Sequence, residues 1–208
     1  MKVLVLNGSA RVNGCTARAL KEVTDTLNQK GIETETITVG AKVKHGCIAC
    51  GTCSKTGKCV FNDDIVNEIS EKLKEADGLL VGTPVYYAHA SGNIISLLDR
   101  VFYSSDFDKS MKVGAAVASS RRAGSTSAFD EINKYFTIAG MPVASSTYWN
   151  EVHGFTAEDV EKDLEGLQIM RNLGRNMAFL IKAIADAKEK YGMPEKERGA
   201  FTSFPDGL

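Results

Sequence analysis

A chain of 208 residues, 43% hydrophobic and 25% charged, has the size and apolar content of one α/β domain with a full core. Its 25 basic and 26 acidic residues leave a formal net charge of -1, and no basic stretch is longer than Arg121-Arg122, so it lacks the electrostatic footprint of a nucleic-acid binder. The opening MKVLVLNGSA holds an apolar run too short for a signal-peptide core, and no membrane-length apolar segment follows, so a soluble, cytoplasmic protein with no membrane partner is expected.

Apolar runs of strand length lie at Lys2 to Leu6, Glu35 to Val39, Gly78 to Gly82, Lys112 to Ala118 and Pro142 to Thr147. Between them, Thr16 to Lys30, Asp64 to Ala76, Asn93 to Tyr103 and Ser125 to Ile138 place apolar residues three and four apart, as amphipathic helices do. Each strand is thus returned by a crossover helix, the pattern of a doubly wound parallel sheet with helices on both faces. A last helix over about 157–191 is expected to be interrupted by Gly166 and Gly174. Residues 1–191 form the expected domain, with a cysteine knuckle at 45–60 inserted after the second strand, and 192–208 form a C-terminal arm. In that arm Phe201, Phe204 and Leu208 are costly to leave in water, so docking on a partner chain competes with fraying.

The first strand runs into NGSARVNGCTARAL, where small residues, the Ser9 and Thr16 hydroxyls and the Arg11 guanidinium precede a helix N-terminus that favours an anion. The loop is neither GxGxxG nor GxxxxGK[ST] and lacks a phosphate-reaching lysine, so a monophosphate fits it better than a triphosphate or a dinucleotide. An ordinary capped strand-to-helix turn is the plain alternative. GTPVYYAHASGN, 82–93, follows the third strand with a stiff Thr-Pro and two tyrosines, and ASSRRAGS, 118–125, follows the fourth with hydroxyls and two arginines. Ligands of open α/β sheets sit at the carboxyl ends of the strands, so these loops should converge on a flat aromatic ligand with a phosphate tail.

HGCIACGTCSKTGKCV, 45–60, spaces four of the five cysteines by two, two and five residues. The first two spacings, joining the first three cysteines, are those with which bacterial ferredoxins hold a [4Fe–4S] cluster, and Gly57-Lys58 lets the chain turn back to offer the fourth. Free thiols, a disulfide, or zinc are the other readings. Cys15, at a helix N-terminus, reads as a small packing residue that stays protonated beside a bound phosphate.

On GSxR, the cysteine stretch followed by Asp63-Asp64, ADGLLVGTPVYY with its later LLDR, and SSRRAG, the chain resembles the flavodoxin-like NAD(P)H-dependent FMN reductase superfamily, in its iron-sulfur flavoprotein branch. The resemblance spans nearly the whole chain and implies a five-stranded parallel sheet in the order 2-1-3-4-5 with noncovalent FMN. It implies that Ser9, Arg11, Asn13, Cys15 and Thr16 hold the FMN phosphate, and that Thr83, Pro84, Val85, Tyr86, Tyr87 and Ala88 with Ser119, Ser120, Arg121, Arg122, Ala123 and Gly124 meet the ring. Cys15 stands where relatives commonly carry Asn, and it cannot donate an amide hydrogen bond. Cys47, Cys50, Cys53 and Cys59 would be the ligands of a [4Fe–4S] cluster, its charge softened by Lys42, Lys44, Lys55 and Lys58.

Asp63 and Asp64 read as helix-capping carboxylates, and Asp99 and Arg100 as structural ion-pair formers. His45, His89 and His153 make no nucleophile-base spacing, and His89 is the one nearest the ring loop. YWNEVHG, 148–154, is expected to follow the fifth strand and to lie near the flavin or a subunit contact, or to anchor the last helix. The expected activity is electron transfer from NAD(P)H through FMN to a small acceptor (flavin, quinone, azo or nitro compound) or to ferredoxin, in a homodimer or homotetramer. A flavodoxin-like carrier and a thiol redox sensor are the alternatives. The near-neutral charge speaks against a strongly acidic carrier.

Overall fold

The computed structural model describes residues 1–197 and 199–200. Five strands run parallel in the order β2-β1-β3-β5-β6: β1 is Lys2–Asn7, β2 Glu33–Thr38, β3 Gly78–Tyr86, β5 Val113–Ser120 and β6 Glu151–His153. A short β4, His89–Ala90, folds back antiparallel on the end of β3. This hairpin makes six strands where five were expected.

Strand alternation divides the core. Val3, Val5, Leu80, Val113, Ala115 and Val117 face α1 (Cys15–Gln29) and α7 (Leu164–Tyr191), while Leu4, Leu6, Leu79, Val81 and Ala116 face α3 (Val66–Glu75), α4 (Gly92–Ser104) and α5 (Ser125–Ile138). The outer strand β2, ETETIT, is half exposed, and its Glu35 is clamped by Lys2 and Lys72 at 2.5 Å each. Charged side chains of this kind blunt a sheet edge.

Two expectations are corrected. Residues 142–147 are not a strand: only Val143 bridges to Gly114, and β6 forms later, within YWNEVHG rather than before it. Side chains of α7 take over the intervening chain, the Asn176 amide donating to the Ser145 carbonyl at 2.8 Å and the Asn172 amide to the Thr147 hydroxyl at 3.1 Å. The terminal helix breaks at 161–163, between a short α6 (Ala157–Val160) and α7, and not at its glycines. Asp163 caps α7 by accepting the Gly166 N–H at 2.9 Å, and a Cβ on Gly166 would strike that carboxylate. At Gly174 a Cβ would come within 2.8 Å of the Thr26 side chain, so this glycine permits the close crossing of α1 and α7. The proposed arm residues Phe201, Phe204 and Leu208 lie outside the described residues.

Gly114, the second residue of β5, sits under the buried Phe136 ring, and a Cβ there would lie 2.5 Å from a ring carbon. Gly114→Ala is therefore expected to destabilise the fold by about 1–3 kcal/mol through overpacking, read from the midpoint of urea unfolding. Unchanged stability would mean that Phe136 has room to move.

Candidate functional site

Two separate concavities carry the chemistry-bearing residues. The first lies at the carboxyl ends of β1, β3, β5 and β6 and is lined by Ser9, Arg11, Cys15, Thr16, Pro84, Val85, Tyr86, Ser119, Ser120 and Arg121, joined by Gly14, Gly154 and Phe155. It opens beside the N-terminus of α1, which has no side-chain cap and no acidic residue in its first turn. Its leading N–H groups are thus free for an anion flanked by the Ser9 and Thr16 hydroxyls and Arg11. That donor set suits a phosphate.

Hydrogen bonds fix the rim. The Ser9 N–H donates to the Asn7 side chain at 3.0 Å and the Arg11 N–H to the Ser9 hydroxyl at 3.1 Å, which sets the loop's turn. Thr16 and Ser119 share a buried hydroxyl-hydroxyl bond of 2.8 Å that ties the first loop to the end of β5. The Cys15 thiol donates to the Gly154 carbonyl at 3.4 Å. Burial pushes that thiol up, against the opposing pull of its own backbone N–H and Arg11, which leaves it a packed thiol in the absence of a ligand.

Seven expected ring or phosphate contacts do not line this crevice. Asn13, Tyr87, Ala88, Arg122, Ala123 and Gly124 lie outside its wall, and Thr83 is fully buried. The Thr83 hydroxyl donates to the Pro84 carbonyl and accepts the Ser91 N–H, both at 2.9 Å, so it is consumed in shaping the turn. Tyr87 and Ala88 are the two central residues of the β3-β4 hairpin, at φ 52° and 64°, and Tyr87 is wholly exposed. Gly124, at φ 87°, lets the neighbouring loop press onto that turn: a Cβ there would lie 2.8 Å from the Ala88 Cα. Thr83, Ala88 and Gly124 thus shape the loops beside the crevice. Gly154 and Phe155 escape the residue-level reading because β6 is only three residues long, and for YWNEVHG the flavin, a subunit contact and an anchor for the last helix all stood open.

The second concavity, of about 200 Å³, is lined by all four knuckle cysteines together with Ile48, Val60, Phe61, Arg100, Tyr103 and Ser104. It shares no lining residue with the first. Cys53 opens a single helical turn, α2 (Cys53–Thr56), which Gly57 ends at φ 67°. Asn67 pins the fourth cysteine, accepting the Cys59 N–H at 2.9 Å and donating to its carbonyl at 3.0 Å. All five cysteines are free thiols. Among the described residues no three His, Cys, Asp or Glu side chains group closely enough to hold a metal ion, so the four cysteines share one cavity wall without forming a ready-made metal site. The Ser104 hydroxyl is buried at the cavity wall with no hydrogen-bond partner among the described residues.

Arg100 is the feature that sequence reasoning placed only as an ion-pair former. Its side chain is 1% exposed and pairs with Asp64, 0% exposed. All five of its N–H groups are used: Nε and Nη2 each donate to the Cys59 sulfur at 3.2 Å, Nη1 to the His45 carbonyl at 3.1 Å, and both terminal nitrogens to the Asp64 carboxylate. Burial opposes ionisation of Asp64, but Arg100 and the Lys44 and Val66 N–H groups outweigh it and hold the carboxyl below its ordinary value. Asp99 instead accepts the Tyr135 hydroxyl. Of the lysines expected to offset cluster charge, Lys44 pairs with Asp63 at 3.4 Å and Lys58 with Glu71 at 3.3 Å.

A parallel sheet wound in this order, with an anion-ready loop after its first strand, defines a flavodoxin-like α/β protein. Solved structures agree on the fold: RosB with a bound 8-demethyl-8-formylriboflavin-5′-phosphate intermediate superposes with TM-score 0.68 at 16% identity, covering 99% of this chain and 93% of that one. A flavodoxin from the domain Archaea gives TM-score 0.58 at 20% identity over 88% of this chain and 99% of that one. The NADPH-dependent FMN reductase family model matches residues 1–156, and the chain belongs to that family, the FMN-dependent oxidoreductases of flavodoxin-like fold. Within it the chain falls in the iron-sulfur flavoprotein branch. It is 36% identical to an iron-sulfur flavoprotein of Methanocaldococcus jannaschii over 192 residues, 88% of this chain and 99% of the relative. Among the described residues no helix is long and apolar enough to cross a membrane.

Removing one partner of the buried pair strands the other charge. Asp64→Ala is expected to cost about 3–5 kcal/mol in denaturant unfolding. A loss below about 1 kcal/mol would show that water reaches Arg100.

Proposed function

We propose that the chain is an NAD(P)H-dependent oxidoreductase that holds FMN in the crevice and a [4Fe–4S] cluster in the cysteine cavity, and passes electrons to a ferredoxin-type acceptor. The observation that carries the reading is that all four knuckle cysteines line one cavity set apart from an anion-ready crevice. The name of the Methanocaldococcus relative supports the cluster.

In this reading Ser9, Arg11 and Thr16, with the first N–H groups of α1, hold the FMN phosphate. Pro84, Val85, Tyr86, Ser119, Ser120 and Arg121 would line the ring's site, and the polar groups among them would favour charge developing on the reduced ring. When bound, FMN supplies the chemistry, accepting a hydride's two electrons and releasing them singly or together. A cluster held by Cys47, Cys50, Cys53 and Cys59 would supply one-electron transfer. No side-chain acid or base is needed, so the protein's work is to orient the nicotinamide, exclude water and separate the two centres. Small acceptors such as a quinone, free flavin, azo or nitro compound would reach the flavin at the crevice mouth, where Tyr86 is half exposed.

Protein purified without oxygen is expected to show flavin absorption, saturable NADH or NADPH oxidation and about four irons per chain, as one Cys-ligated cubane requires. Replacing Cys47, Cys50, Cys53 and Cys59 by serine should remove the iron and leave the flavin bound. Loss of both together would tie the knuckle to the crevice instead. Iron-free flavoprotein would remove the cluster from the reading, and absence of flavin would end it.

Arg11→Ala deletes the charged donor of the phosphate loop, a loss of about 1.5–3 kcal/mol. The FMN dissociation constant should rise by roughly tenfold to a hundredfold in a fluorescence titration, with the flavin spectrum unaltered. An unchanged constant would place the phosphate elsewhere.

A further inference from the structure

Arg100 heads the largest fully buried side chains of the protein, and its guanidinium is divided between two tasks. One edge is spent on Asp64 and the His45 carbonyl, enough to fasten both ends of the cysteine loop to α4. The other edge sends two N–H groups to a single sulfur, Cys59 Sγ, at 3.2 Å each. A neutral thiol is a weak acceptor, and burying two charged donors against one is a poor use of them. A metal-bound thiolate carries negative charge and accepts such donors well. The geometry is therefore matched to a ligated sulfur.

We infer that Arg100 is a positioning residue for the cysteine site, oriented by Asp64, which holds the Cys59 sulfur as ligand and favours the reduced form of a cluster bound there. The inference rests on the cluster reading above. Reduction adds one electron to the cluster, supplied by the bound flavin or by a chemical reductant. No bond forms or breaks, and the cluster becomes one unit more negative. Donors to a ligand sulfur are strengthened by that added charge, so they raise the potential. Their effect is concentrated on one corner of the site, since neither Cys47, Cys50 nor Cys53 receives a bond from Arg100.

The test is an anaerobic redox titration of the holoprotein, followed by the electron paramagnetic resonance of the reduced cluster. It compares the wild type, Arg100→Lys, and the double variant Asp64→Asn/Arg100→Gln, which removes both buried charges together and strands neither. In the double variant the reduced-to-oxidised ratio at a fixed potential should fall at least tenfold, which for a one-electron couple is a drop of about 59 mV in midpoint. The lysine variant, keeping the charge but not the planar pair of donors, should fall in between, and the flavin midpoint should stay put. Unchanged cluster midpoints at full iron content would overturn the inference, because a purely structural arginine would alter folding or occupancy and leave the potential alone. Should the double variant fail to fold, the lysine variant decides by the same criterion. A wild type that takes up no iron and sulfide would sink the cluster reading and this inference together, and that outcome is seen before any variant is measured.

Discussion

The cysteine loop depends on a guanidinium that water does not reach. Arg100 reaches from α4 to His45 at one end of the loop and to Cys59 and Asp64 at the other, and its Cζ lies 5.2 Å from the centre of the Phe61 ring. The His45 ring also stacks on Phe61, with ring centres 4.1 Å apart. A loop with Cys47 and Cys50 exposed and only one helical turn of its own has little apolar area with which to order itself. Charge-assisted bonds made in the dry interior take that place, and they are directional where apolar burial is not.

The crevice is built by the opposite means. Among the described residues no buried charge lines it. Its walls follow from parallel winding, which brings the carboxyl ends of β1, β3 and β5 to one edge of the sheet, and from close backbone contacts that tie the loops to each other. The Gly8 N–H donates to the Gly82 carbonyl at 2.8 Å, Ser91 donates its hydroxyl to the Gly8 carbonyl at 2.8 Å, and Gly154 donates to the Ser120 carbonyl at 3.0 Å. A surface held by main-chain bonds keeps its remaining N–H groups and hydroxyls fixed in direction, which is what recognition of a charged, flat ligand needs.

Much of this was legible in the sequence because periodicity and loop chemistry are local. The α5 helix starts and ends at the residues read from its apolar spacing, and the GSAR loop stands between β1 and α1 as its small residues indicate. What stayed hidden was decided at a distance. Residues 142–147 carry strand-like propensity, yet amides from α7 capture their backbone. Gly166 and Gly174 look like helix breakers, but one makes room for the Asp163 cap and the other for α1. Thr83 and Gly124 sit in loops whose chemistry pointed at a ligand, and the structure spends them on the turn itself. Sequence spacing says that a residue is in the right loop, and only packing says which way it faces.

The same limit explains the charge at the cysteine site. Lysines on the loop appear from sequence to be its natural counter-charge, being near in the chain and of the right sign. Two of them, Lys44 and Lys58, are drawn to Asp63 and Glu71 at the surface, where ions and water screen whatever field they retain. Arg100 lies 41 residues from Cys59 in the chain and contacts its sulfur in a medium that screens little. A redox centre set by loop lysines would drift with ionic strength and with every nearby surface substitution. One set by a buried, fully hydrogen-bonded guanidinium is insulated from both, because its field reaches the sulfur without crossing solvent.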